Sequence, residues 1–216
     1  MVAGSHACLT AAQRAPASGC GGPRGRLRGG ARAAVAAIGL IAGAAAAQGA
    51  EILEHGFEVD RPDFTFWVTA RLDSPREAVW EVLTDYERLH ELSPGVQRSR
   101  ILPDTAGEAV VVVTVVRGCV AIFCRDVERA EAMVERPPEW IRGRILPERS
   151  DFERGETEWT LEAEGEATRV SVRSELRPTF WVPPVIGPRQ MQRALIGDMR
   201  TLMDRVEERA GQRRQP

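Results

Sequence analysis

Apolar and polar residues first alternate regularly between residues 64 and 72. Every even-numbered position in this stretch is apolar: Phe64, Phe66, Val68, Ala70 and Leu72. The odd-numbered positions include two threonines and an arginine. A period of two predicts a strand with one buried face. Residues 51–60, before it, are interpreted as a short leading segment.

Two short helices are predicted directly after this strand. Ser74 precedes Pro75, a pairing typical of a helix N-cap and first helical residue, and Glu77 completes a capping box. The first helix ends near Asp85 with three apolar side chains facing inward: Val79, Trp80 and Leu83. A second short helix, with apolar residues Tyr86, Leu89 and Leu92, ends at the Pro-Gly pair 94–95.

The remaining pattern is mostly that of strands separated by short turns. We predict six of them, near residues 97–103, 108–117, 124–136, 139–147, 151–164 and 167–177. The connections are short enough for antiparallel hairpins. The valine-rich run 110–116 does not reveal which face is buried, and Gly143 inside a strand indicates a bulge or close packing.

A single amphipathic helix is predicted at the end of the chain, after the proline-rich segment 178–188. Its apolar residues stand three or four positions apart: Met191, Leu195, Met199, Leu202 and Val206. Such a stripe has to lie against the sheet. The order of elements predicts an α+β fold in which a curved antiparallel sheet of about seven strands wraps around the long C-terminal helix, with two short helices after the first strand. The space between sheet and helix can remain partly empty as an apolar cavity.

Several motifs occur in the order found in a known superfamily. They are SPREAVWEVLTDYERL at 74–89, PGV at 94–96, ERPPEWI at 135–141, DFxxGxxxWxL at 151–161 and PTFWVP at 178–183. With them the chain resembles the START-like (SRPBCC) superfamily, also called the helix-grip or Bet v 1-like fold. Within it, the chain resembles the polyketide cyclase/dehydrase group that includes coenzyme Q-binding START proteins. The resemblance spans about residues 60–208.

The resemblance implies binding of a lipid, a quinone, a sterol or a polyketide-like molecule between the sheet and the last helix. A minority of the superfamily catalyses cyclisation or dehydration. We expect nine residues to form the cavity wall and mouth: Phe64, Phe66, Trp159, Phe180, Trp181, Met191, Leu195, Asp198 and Met199. We expect no cofactor.

Asp198 is the acidic residue of most chemical interest, because it stands at the border of the apolar stripe. In the cavity, a raised pKa would let it act as an acid or hold a ligand hydroxyl. The alternative is a position at the edge of the stripe that faces water or an arginine. Arg142 and Arg173 on the strands share this ambiguity. No catalytic motif accompanies them, and His55 and His90 lack metal-ligand spacing, so we expect no metal site.

The first 50 residues form a leader of different composition. They contain five arginines and no acidic residue, and an uncharged, mostly apolar stretch precedes Glu51. This pattern predicts a signal peptide over about residues 24–50, export to the periplasm, and a ligand-binding domain over residues 51–216. A membrane anchor and a disordered leader are the alternatives.

Residues 51–216 are acidic, with 24 arginines against 31 acidic residues and a net charge of −7. Nucleic acid is not expected as a partner, because phosphate binding needs a basic surface. The expected partner is a hydrophobic small molecule, with transient contact to a membrane.

Cys119 and Cys124 are the cysteines beyond the leader. In one extended strand their Cα atoms would stand about 16 Å apart, which is too far for a disulfide. A turn near Gly118 would allow the bond in an oxidising compartment. Two small buried apolar side chains are the alternative.

Three functions remain open on the sequence. The first is non-enzymatic binding, shielding or transport of a hydrophobic small molecule. The second is a cyclase or dehydrase acting on a polyketide-like substrate. The third is an interaction module for a protein or a membrane surface.

Overall fold

An antiparallel sheet of eight strands forms the body of the protein. The computed structural model describes residues 49–103, 109–120, 123–181 and 187–213, all within the compact unit Ala45–Pro216. The strands are β1 Glu51–Asp60, β2 Asp63–Leu72, β3 Val96–Leu102, β4 Val110–Val120, β5 Phe123–Arg136, β6 Trp140–Ile145, β7 Phe152–Glu164 and β8 Ala167–Pro178. Their order in the sheet is β1-β2-β8-β7-β6-β5-β4-β3.

The predicted order of elements is confirmed, with one strand more than the expected seven. Residues 51–60, predicted as a leading segment, form β1 and pair with β2 along its length. β1 is a mostly exposed edge strand, and a register shift between Ile52 and Glu54 interrupts its alternation. For this reason the sequence of β1 does not show the alternation of apolar and polar residues that predicts a strand.

Two helices follow β2, as predicted. α1 spans Arg76–Leu83 and buries the predicted residues Val79, Trp80 and Leu83. A 3₁₀ turn at Tyr86–Arg88 leads into the single-turn helix α2, Leu89–Leu92. A second 3₁₀ turn, Pro147–Arg149, connects β6 and β7.

The predicted capping box of α1 is wrong. Pro75 is the N-cap, its backbone is extended, and no side chain caps the helix. The Ser74 carbonyl accepts a hydrogen bond from Thr168 Oγ1 of β8 at 2.7 Å. This contact ties Ser74 to the sheet, so the helix begins one residue later than the motif predicts.

The long final helix, α3, spans Pro188–Gln212 and packs into the core on the concave face of the sheet. Its buried side chains are Met199, Met203, Val206 and Ala210. Met203 is completely buried, whereas Leu202, predicted in the stripe, packs at the border of the core.

Ion pairs join the second half of α3 to the short helices. Arg209 pairs with Glu91 of α2, and Arg213 Nη1 lies 2.9 Å from Glu81 Oε2 of α1. The guanidinium groups of Arg88 and Arg209 hold the pKa of the Glu91 carboxyl at about 2. The second half of α3 is therefore fixed by packing and by charge.

Both faces of β4 are covered in its valine-rich part. Val111, Val112 and Val113 are all buried, although successive residues of a strand point to opposite faces. For this reason the sequence pattern could not assign a buried face.

Candidate functional site

The concave face of the sheet carries four polar residues close together. Thr157 of β7 lies opposite Ser174 of β8 on one side and Gly143 of β6 on the other. Arg129 and Glu131 of β5 occupy the same face, since β5 is the next strand beyond β6. We call Arg129, Glu131, Thr157 and Ser174 the concave polar cluster.

Hydrogen bonds connect all four residues of this cluster. Arg129 Nη2 donates to Glu131 Oε1 at 2.5 Å and to Thr157 Oγ1 at 2.6 Å. The hydroxyl oxygens of Thr157 and Ser174 are 2.8 Å apart. Glu131 is 8 % exposed. Because burying an acid and a guanidinium requires desolvating both charges, stability alone is a weak reason for this pair.

One donor of the cluster has no partner in the described part of the chain. Arg129 Nε is buried and makes no hydrogen bond there. Buried N–H groups are nearly always paired with protein, water or a ligand. Arg129 Nε can therefore donate one hydrogen bond to an acceptor oxygen at the concave face.

Gly143 makes room for the cluster. A methyl group at this position would lie 2.7 Å from Glu131 Oε1 and 2.9 Å from Met133 Sδ. The register of β6 is unbroken with both neighbouring strands. Of the two sequence interpretations, close packing therefore applies and a bulge does not.

The first half of α3 continues the apolar stripe without being fully buried. Met191 and Leu195 stand two turns and one turn before Met199 on the same helix face, and both are half-buried. Met199 is 9 % exposed and Met203 is 0 % exposed. The helix therefore closes onto the sheet only from Met199 onward.

Asp198 lies where the two halves of α3 meet. A methyl group added to Gly95, in the α2–β3 connection, would lie 3.7 Å from Asp198 Oδ2. The residue is exposed, yet partial burial raises the pKa of its carboxyl group. No hydrogen bond or ion pair to Asp198 is found among the described residues. Asp198 therefore lies at the border of the apolar stripe of α3, beside the α2–β3 connection.

Phe64, Phe66 and Trp159 lie on the concave face, in register with the core. Phe66 and Trp159 are half-buried and pack against the core. Phe66 stands opposite Ser174, and Trp159 is two residues from Thr157. These two aromatic rings therefore border the concave polar cluster. Phe64 stacks on Phe57 of β1, with ring centroids 6.1 Å apart.

Phe180 and Trp181 follow β8 at the end of the sheet remote from α1. Phe180 meets Phe152 edge-on at 6.2 Å, and the Arg125 guanidinium lies 4.5 Å from the centroid of its ring. Trp181 is 76 % exposed. Phe180 is thus fixed to the end of the sheet, while Trp181 projects into solvent.

Cys119 and Cys124 form a disulfide near the tip of the β4–β5 hairpin. The two residues face each other in register, with Cα atoms 4.1 Å apart. β4 continues through Gly118 to Val120, so the chain turns later than the glycine indicates. Arg125, which contacts Phe180, follows directly after Cys124.

Arg142 and Arg173 lie on the opposite, convex face of the sheet. Arg142 Nη2 is 2.9 Å from Glu158 Oε2, and Arg173 Nη2 is 3.0 Å from Glu175 Oε1. A shallow depression of about 350 Å³ lies beside Arg173, and another of about 800 Å³ lies beside Arg142. Neither arginine belongs to the concave site.

The described ranges contain no group of three His, Cys, Asp or Glu side chains able to hold a metal ion. None of the helices in these ranges is long and apolar enough to cross a membrane. The concave polar cluster is not predicted from the sequence, where its only signal is Gly143 in the neighbouring strand.

A sequence model of the family described as polyketide cyclase/dehydrase and lipid transport matches residues 72–203. The match covers more than half of the chain and runs from the end of β2 into the second half of α3. The chain therefore belongs to this family. No curated protein matches it.

Solved structures share its fold. A protein from Thermus thermophilus, TTHA0849, is 19 % identical with a TM-score of 0.58, covering 69 % of this chain and 99 % of its own. A STAR-related lipid transfer protein from Xanthomonas axonopodis is 16 % identical with a TM-score of 0.55, covering 74 % and 99 %. A START superfamily protein from Mycobacterium smegmatis is 16 % identical with a TM-score of 0.54, covering 67 % and 97 %. At these identities the likeness establishes the fold alone, which is the predicted START-like fold.

Proposed function

We propose that this protein binds an apolar small molecule between the concave face of its sheet and the first half of α3. It carries or shields that molecule without transforming it. The observation that carries the proposal is the graded burial along one face of α3. Met191 and Leu195 stay half-buried where Met203 is fully buried. An apolar helix face that remains partly uncovered suits an apolar guest, and unbranched methionine adapts to its shape.

Family membership supports a ligand of lipid, quinone or polyketide type. The family description joins polyketide cyclases with lipid transport, and one structural neighbour is a STAR-related lipid transfer protein. A carrier of such a molecule has to collect and release it, which favours transient contact with a membrane.

The concave polar cluster adds a requirement to the ligand. Glu131 neutralises the charge of Arg129, so the cluster does not need an anionic group from the ligand. Arg129 Nε still offers one hydrogen bond. A mainly apolar molecule with a carbonyl or hydroxyl oxygen satisfies both conditions, whereas a pure hydrocarbon leaves the donor unpaired.

Mass spectrometry of the protein purified without detergent tests this proposal. Organic extraction should release an apolar, oxygen-bearing compound in near-stoichiometric amount, and the emptied protein should bind an apolar fluorophore. Absence of both would refute the proposal. A crystal structure with side chains filling the space under the first half of α3 would favour an interaction module instead.

A cyclase or dehydrase activity is the second candidate, favoured by the buried acid–guanidinium pair in the concave polar cluster and by the raised pKa of Asp198. Asp198 would serve as the acid and the Glu131 carboxylate as the base. Turnover of a polyketide-like substrate that survives both Glu131→Gln and Asp198→Asn would exclude this role for them.

We also propose a periplasmic location. The predicted signal peptide, which lies almost entirely outside the described residues, and the bonded Cys119–Cys124 pair both support an oxidising compartment. N-terminal sequencing of protein from the periplasmic fraction should give a start near residue 50. An intact Met1 on cytoplasmic protein would contradict this.

A further inference from the structure

The two halves of α3 differ in charge as well as in burial. Residues 188–200 carry three arginines and a single acidic residue, Asp198. Residues 201–213 carry three arginines and three acidic residues. The arginines of the first half, Arg189, Arg193 and Arg200, are offset by four and seven positions, so they share one face of the helix. This first half therefore presents a stripe of positive charge.

These three arginines are exposed, and none forms an ion pair or hydrogen bond within the described part of the chain. Several exposed arginines elsewhere are paired, as Arg144 is with Glu156 and Arg154 is with Asp63. In the acidic domain, three neighbouring unpaired cations concentrate positive potential on one stripe. A partner that meets this stripe has to be anionic.

Trp181 adds an exposed apolar group shortly before α3 in the chain. It is the most exposed large hydrophobic side chain of the described residues, at 76 %. Six residues lie between it and Pro188 at the start of α3, so their Cα atoms are at most about 25 Å apart. Tryptophan with arginine is the composition of surfaces that lie in the lipid headgroup region.

We propose that the stripe of Arg189, Arg193 and Arg200, together with Trp181, docks this protein on an anionic lipid bilayer. The inference rests on the proposed function, since docking would bring the half-buried Met191 and Leu195 close to the source of an apolar ligand. Trp181 favours a bilayer over double-stranded nucleic acid, whose phosphates need the charge alone. Each arginine is expected to strengthen binding by about fivefold.

Co-sedimentation with vesicles tests the inference, using phosphatidylcholine alone or mixed with phosphatidylglycerol. The wild-type protein should bind the mixed vesicles selectively. R189Q/R193Q/R200Q should lose this binding by about a hundredfold. The control R144Q/R154Q/R173Q removes equal charge from paired positions and should lose much less. Trp181→Ala should weaken binding to the mixed vesicles.

Equal losses in the two triple variants, or no effect of Trp181→Ala, would overturn the inference. Equally tight binding of wild-type protein to single-stranded DNA would overturn it too, because the stripe would then select any polyanion. Fluorophore binding in the absence of vesicles is measured in parallel. A protein that binds fluorophore but not vesicles defeats only the docking surface, whereas one that docks but binds no apolar ligand defeats the proposed function.

Discussion

The ionised form of the Asp198 carboxyl group opposes folding. Burial raises its native pKa above the ordinary value of 3.8, so the unfolded chain ionises more readily. The destabilising contribution therefore begins as the pH rises through the unfolded pKa and is complete above the native one. We expect Asp198→Asn to raise the thermal unfolding midpoint at pH 7 and to leave it nearly unchanged below about pH 3.

Calorimetry at the two pH values measures this difference, with Glu87→Gln as a control for the loss of one exposed acid. A lower midpoint for Asp198→Asn at pH 7 would show that the carboxylate makes a favourable contact. A stabilising substitution that also impairs ligand uptake would indicate that the acid is kept for function.

The Arg129–Glu131 pair should show strong energetic coupling. Arg129→Met alone leaves the Glu131 carboxylate buried without its cation, which should cost about 3 kcal/mol in urea unfolding. Arg129→Met/Glu131→Leu removes both charges and should recover most of that loss. Recovery of the free energy of unfolding would show that the fold does not require this pair. A change in ligand binding by the double variant could then be assigned to the site.

The same double variant tests ligand recognition. Wild-type protein should prefer a long-chain ketone over the alkane of equal length, because the ketone oxygen can accept from Arg129 Nε. The double variant should lose this preference while still binding both. A preference that persists in the double variant would remove the concave polar cluster from the site.

The positions of single residues are predicted best from the sequence where the burial of an apolar side chain alone determines them. Val79 and Leu83 were predicted inward because their spacing suits a helix, and both are buried. Arg129 and Glu131 alternate along β5 just as the residues of a solvated strand face do. Their place on the concave face depends on the space that Gly143 leaves in the neighbouring strand. The alternation of residues along β5 contains no information about that space.

α3 combines a fixed half and an uncovered half in one helix. Gly197 lies at their junction, and a methyl group on it would meet nothing within 4 Å. Glycine inside a helix costs about 1 kcal/mol relative to alanine. Its role is therefore not steric, and it weakens the helix where the half-buried part begins.

Gly197→Ala should consequently stabilise the protein and slow exchange of a bound apolar fluorophore by about fivefold, measured by stopped flow. Gly211→Ala is the matched control, since Gly211 is also free of contacts but lies in the fixed half. It should leave the exchange rate unchanged. Identical rates in both variants would show that the first half of α3 does not control exchange.

Elements with a clean period were predictable, and interrupted ones were not. β2 and α3 follow their periods throughout and were located correctly, apart from the exchange of Leu202 for Met203 at the centre of the core. β1 was missed because its register shifts near Ile52. The start of α1 was displaced by the hydrogen bond from Thr168, a residue 94 positions away from Ser74.

At the scale of the whole molecule, the two ends of α3 differ both in packing and in charge pairing. The core and the ion pairs of Arg209 and Arg213 hold the end of α3 near α1 and α2. The other half of the helix brings half-buried apolar residues and unpaired arginines, and the exposed Trp181 lies in the chain segment before it. The fold thus separates a stable part from a part available to a ligand.

Binding of an apolar fluorophore to paired leucine variants tests the ligand site most directly. Leu195 is half-buried on the stripe of α3, whereas Leu53 of β1 is 41 % exposed at the sheet edge. Leu195→Arg should weaken fluorophore binding more than tenfold with the fold intact by circular dichroism, because a charge would enter an apolar site. Leu53→Arg should leave binding unchanged. Equal affinities of the two variants would contradict a ligand site beneath the first half of α3.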